Sequence, residues 1–180
     1  MQRIIHTVDD IKPLFELVRS AANRTARELA KVTKSKPDGI DLLRRMKFTE
    51  MAWHPLDDKK RLNIVEQINQ TWTILVSLKA LPLLFEWHGK EARGFRLNLG
   101  TAAGTDILSL EPDVVAAETF AAVRTSSNSK LTKDLQRLEE NCPKAKARYV
   151  FFGSRNSSAG LFKVVSGIKV WAVDVDFAGT

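Results

Sequence analysis

Residues 114–123 read Val-Val-Ala-Ala-Glu-Thr-Phe-Ala-Ala-Val. A run that is apolar at both odd and even positions is a strand buried on both faces, and so a central strand of a sheet covered by other elements. One carboxylate, Glu118, stands in the middle of it. Burying a charge is costly unless it is paired or bound to a metal. Glu118 therefore needs a partner: an arginine, for which Arg96 and Arg124 are the nearest candidates, or a cation from outside the chain.

The flanking pattern fits a mixed sheet with helices. Residues 11–32 place Ile11, Leu14, Phe15, Val18, Ala22, Ala26 and Leu29 at helical spacing, with a basic outer face of Arg19, Arg24, Arg27 and Lys31. A linker at 34–39 and a short helix at 40–46 follow. Residues 58–79 read as a second long helix. Its apolar stripe is Leu62, Val65, Ile68, Trp72, Leu75 and Val76, and a polar stripe runs through Glu66, Asn69, Gln70, Thr73 and Ser77. A polar stripe with a single charge either faces a site or packs on other polar groups. A short helix with Pro82 in its first turn comes next.

Period-two alternation at Phe95, Leu97 and Leu99 then marks a half-buried strand. Residues 100–104 turn the chain, 106–110 form a strand, and Glu111-Pro112-Asp113 is a turn before the central strand. Ser126, Ser127 or Asn128 would cap a helix running to about 140. Strands are expected at 148–152 and 168–177, with a loop at 154–160. Asp174 and Asp176 would lie on the exposed face of an edge strand. The order suggests an α/β domain at 51–180 preceded by a helical segment at 1–50 that is either separate or part of the same domain.

Asp106 opens one strand and Glu118 lies midway along the next. If the two pair as a hairpin, the carboxylates reach a common point. Such a pair could hold Mg²⁺, a hard ion that prefers oxygen ligands and retains several waters. The plain alternative for Asp106 is a turn or cap hydrogen bond.

Gly104-Thr-Asp106-Ile-Leu-Ser109 followed by Ala117-Glu118-Thr-Phe120 resembles the core of the PD-(D/E)xK nuclease superfamily, the restriction-endonuclease-like fold. The resemblance covers about 63–133. It implies a Mg²⁺-dependent DNA endonuclease, possibly of restriction type, with Asp106 and Glu118 as metal ligands. Glu66 would match the glutamate that a preceding helix often carries in that family. Many restriction enzymes dimerise, so a homodimer is an open expectation. One departure is sharp. The family lysine falls two residues after the glutamate, on the same strand face, and position 120 here is Phe. Lys130, with Lys133 one turn on, is the available substitute. The other possibility is a nuclease-like scaffold that binds nucleic acid, or a protein partner, without cutting.

The chain's balance of charge suits that reading. A net charge of +7 over 180 residues, with a pI near 9.7, favours an anionic partner. The basic residues are spread out, which suits backbone contact better than base reading. A single cysteine, Cys142, excludes a disulfide framework or multi-cysteine zinc site within one chain. His6, His54 and His88 have no metal-ligand spacing. No apolar run reaches bilayer length, and the start of the chain lacks an apolar signal core, so a soluble cytoplasmic protein is expected.

Overall fold

A computed structural model describes residues 2–99, 104–122, 129–153 and 158–175. The chain forms two compact units. One comprises Met1–Ile11 with Trp72–Thr180, the other Lys12–Thr71.

The larger unit is built on a seven-stranded mixed sheet. In chain order its strands are β1 (Gln2–Ile5), β4 (Phe95–Asn98), β5 (Ile107–Ser109), β6 (Val115–Ala121), β7 (Ala147–Gly153), β8 (Gly160–Val165) and β9 (Ile168–Val173). Their spatial order is β1-β4-β5-β6-β7-β9-β8. From β1 to β6 neighbouring strands are antiparallel; β6, β7 and β9 run parallel, and β8 closes back on β9 as a hairpin. Between β6 and β7 the chain passes through α4 (Lys130–Asn141), as a parallel pair requires. The central strand β6 is buried over nearly its whole length, as its double-faced apolar pattern demands.

The two faces of this sheet are covered by different helices. On one side the later part of α3 (Ile64–Ala92) packs Trp87 against Tyr149, Phe151 and Trp171. On the other, α4 sets Leu131 and Leu138 into a cluster with Phe120, Val150, Phe152 and Val170. Odd residues of β7 thus face α3 and even residues face α4. Ile74, Val76, Leu78, Ala80, Leu81 and Leu84 are all buried, so this half of α3 is apolar nearly all round, as a core helix should be.

The smaller unit holds α1 (Ile11–Lys34), α2 (Gly39–Phe48), the hairpin β2 (Ala52–His54) with β3 (Asp57–Leu62), and the first turns of α3. Asp38 caps α2 by accepting from the Ile40 and Asp41 amides. Met51, Ala52, Leu62 and Ile64 make its core, with Val32 and Met46 packed on them.

Several expectations change. Residues 58–62 are a strand, not the start of the long helix. The α3 helix then runs unbroken through Pro82, so no separate short helix exists there. The expected apolar stripe holds in part: Leu62 and Val76 are buried, but Ile68 and Trp72 are 45% and 40% exposed, and Ile64, Ile74 and Leu78, outside it, are buried. Strands β1, β2 and β8 were not foreseen. Because β8 lies outside it, β9 is an interior strand, and Asp174 follows its end instead of lining an edge. Asp176 and the expected caps Ser126, Ser127 and Asn128 lie outside the described residues, as does the core of the 154–160 loop. Among the described residues, no helix is long and apolar enough to cross a membrane.

Candidate functional site

The register of β5 on β6 pairs Ile107 with Ala117. Asp106 immediately precedes β5, and continuing this register one residue outward places it level with Glu118. Residues directly opposite in a ladder share a face. On β4, Leu97 pairs with Ile107, so the same row continues to the buried Asn98. The row Asn98–Asp106–Glu118 therefore crosses three strands on the face that α4 covers.

Asp106 is half-buried and firmly held. Its Oδ2 accepts from the Thr119 amide at 2.8 Å and from the Thr119 hydroxyl at 3.0 Å. Thr119 points to the opposite face, where its hydroxyl meets that of Ser77 on α3 at 2.8 Å. Ser77 in turn donates to the Thr73 carbonyl. The expected turn or cap bond of Asp106 is thus a bond to the next strand. The polar stripe of α3 reaches the site through Ser77.

Glu118 is fully buried. Its partner is Arg137 of α4, whose NH1 donates to Oε2 at 3.0 Å. It is not Arg96, which instead lines a cleft of about 280 Å³ with Ser109, Pro112 and Cys142. Arg124 lies outside the described residues. The second Glu118 oxygen, Oε1, is buried without a hydrogen-bond partner. Burial, followed by the neighbouring charge of Asp106, pushes the Glu118 carboxyl up to about 8, and Arg137 offsets only part of this. Burial also raises Asp106, against the two hydrogen bonds from Thr119 and the charge of Lys130. Burial and the charge of Asp106 thus favour a Glu118 carboxyl that keeps its proton at neutral pH.

Sequence reasoning missed a third acid. Asp134 on α4 is fully buried and accepts from Lys130 Nζ at 2.6 Å; Arg137 NH1 lies 3.7 Å away. Burial raises its carboxyl too, with Lys130 opposing. Its second oxygen also lacks a partner. The signal was present: Leu131, Asp134 and Leu138 form one buried stripe, so an acid sits on an apolar helix face just as Glu118 does on a strand. Lys130, Asp134 and Arg137 share that face, and the charge of Lys130 is felt at Asp106. Lys133 is exposed on the outside of the helix.

The structure brings Asp106, Glu118 and Lys130 into one cluster. Glu66 belongs to the other unit, in the first turn of α3, where its amide is capped by Asn63. Phe120 is 2% exposed and stacks on its register partner Phe152, with ring centroids 5.9 Å apart. Among the described residues, no group of three or more His, Cys, Asp or Glu is arranged to hold a metal. A pair of carboxylates still suits Mg²⁺, which commonly takes one or two from protein and the rest from water and phosphate. The orphaned Glu118 Oε1 fits this, since it calls for a positive partner, either a proton or a cation.

No family model matches the chain, and no curated protein or solved structure matches it either.

Proposed function

We propose that the chain is a restriction-endonuclease-like protein that hydrolyses phosphodiester bonds in DNA, with Mg²⁺ held by Asp106 and Glu118. One observation carries the reading: Asp106, just before β5, is near enough to Glu118 on the adjacent strand for its charge to act there, and Glu118 Oε1 has no partner. When bound, the ion would polarise the phosphodiester and lower the pKa of a water. The chain's own groups supply the rest. Thr119 fixes Asp106 by two hydrogen bonds. Arg137 orients Glu118. Lys130, with a side chain 38% exposed, carries the positive charge that Phe120 cannot, and is placed to stabilise negative charge building on phosphate. Asp106, Lys130 and Arg137 are each partly exposed, so the cluster meets solvent at Asp106 and the two cations while Glu118 and Asp134 lie fully buried behind them.

A second reading rests on Arg137. A guanidinium bonded to the central glutamate neutralises it without any ion, so the same fold would serve as a silent nucleic-acid-binding or adaptor module.

Incubation with plasmid and linear DNA in Mg²⁺ or Mn²⁺ separates the two. The proposal expects cleavage by the natural chain and none by the Asp106→Ala, Glu118→Ala double variant. Cleavage unaffected by that change would sink the site. Salt-sensitive DNA binding without cleavage would establish the silent module.

A further inference from the structure

The smaller unit carries 13 Lys and Arg against 8 Asp and Glu between residues 12 and 71, five of the chain's seven net positive charges. Two of the arginines converge on one ring. The Arg24 guanidinium carbon of α1 lies 3.3 Å from the Trp53 ring centroid, and that of Arg61 on β3 lies 4.0 Å from it. Two guanidinium groups that close to one centroid cannot share a face, so the indole is sandwiched between them. The arrangement is locked from both sides. Trp53 and Arg61 are register partners in the hairpin, and the Trp53 amide donates to Thr25, the residue after Arg24, at 3.0 Å.

Stacking on an aromatic ring uses the flat face of a guanidinium and leaves the N–H donors of its edge for other partners. Arg61 Nε is buried with no acceptor. The surrounding face adds charge. Arg27 shares the α1 face of Arg24, and Lys59 is an exposed cation two residues before Arg61 on β3. The acid on this side of α1, Glu28, is bonded by Lys31 at 2.8 Å. Like charges fixed across one ring repel each other, and an anion between or beside them relieves that repulsion. Trp53 is capped by guanidinium on both faces, so no bare aromatic is offered here to enter a lipid layer.

We infer that the Arg24–Trp53–Arg61 sandwich, with Arg27 and Lys59, is a binding site for the phosphodiester backbone of nucleic acid. It shares its partner with the proposed function, yet it does not need the acidic cluster or cleavage. Arginine at such a site gives paired hydrogen bonds to phosphate that lysine cannot copy.

Fluorescence anisotropy of the full chain with a labelled DNA duplex, in EDTA and over a range of salt, tests this. The Arg24→Gln, Arg61→Gln variant should bind at least tenfold more weakly, with a log–log salt slope shallower by about 2. Should that variant not fold, the exposed pair Arg27→Gln, Lys59→Gln should weaken binding in the same direction. The Asp106→Ala, Glu118→Ala variant should bind as the natural chain does, which keeps failure of the acidic site distinct from failure of this one. Undiminished DNA affinity in a folded sandwich variant would overturn the inference. So would binding to phosphatidylserine vesicles with none to DNA.

Discussion

Arg137 and Glu118 are joined at 3.0 Å between α4 and β6, and this bond is the main counterweight to an otherwise uncompensated buried acid. Truncating Arg137 to Ala leaves Glu118 and Asp134 without it. Because the arginine side chain is 40% exposed, the cost is well below that of a fully buried pair, at about 1–3 kcal/mol. The same change clears a positive charge from the proposed cation site. Arg137→Ala should therefore melt lower than the natural chain in EDTA and recover more stability on adding Mn²⁺. A melting curve in each condition checks both halves.

The raised Glu118 carboxyl makes stability depend on pH in a stated direction. Its ordinary value is 4.5 and its folded value about 8. Between these the folded state holds a proton that the unfolded state has lost, so folding is favoured at the acidic end and stability falls as pH rises toward 8. Asp106 and Asp134 are raised as well and slope the same way. Glu118→Gln cannot lose a proton. Denaturant midpoints measured from pH 5 to 8.5 should fall steeply for the natural chain and much less for the variant.

Divalent ion and proton compete for the same oxygens. Mg²⁺ or Mn²⁺ should raise the melting temperature more at pH 8 than at pH 6. Asp106→Asn should abolish most of that rise. A rise that is equal in the variant would place the ion elsewhere.

Placing at position 120 the lysine that the PD-(D/E)xK resemblance leads one to expect should not create an enzyme. Phe120 lies against Phe152 in the core beneath α4, with Leu131 and Leu138 in the same cluster. Phe120→Lys would remove that packing and bury an ammonium, costing roughly 3–5 kcal/mol or more. Loss of folding by circular dichroism is the expected result. Lys130→Ala, by contrast, loses the bond to buried Asp134 but should still fold, and under the proposed function it should reduce cleavage.

Gly153 ends β7 where no side chain fits. A Cβ there would collide with Val175 and come within 2.8 Å of Val76 on α3. Gly153→Ala should destabilise by roughly 1–3 kcal/mol, read as a lowered denaturant midpoint with unchanged slope.

The parts of this fold that could be read from the chain are those where periodicity and burial agree. The double-faced apolar run of β6, the alternation of β4 and the stripe of α1 each imply one environment. The hairpin strand β3 was hidden because Asp57-Asp58-Lys59-Lys60-Arg61 is wholly polar; its form follows from pairing with β2, a non-local contact. Pro82 looked like a helix start, yet the tertiary packing of α3 carries the helix through it. At the site, Asp106 and Glu118 were legible because two acids on neighbouring strands imply a hairpin. Asp134 and Arg137 were not, because which helix face meets which strand is decided by three-dimensional packing.

The cation nearest the acids begins α4, directly after Ser129, whose backbone sits at φ 53°. That region is costly for a residue with a side chain and cheap for glycine. A strand-borne lysine would have its position set by the hydrogen-bonded ladder around it. Lys130 is instead placed by the first turn of α4 and its bond to Asp134, so relieving the strain at residue 129 acts on the helix start that carries the charge. The setting of that cation would then be open to change at a residue outside the acidic cluster.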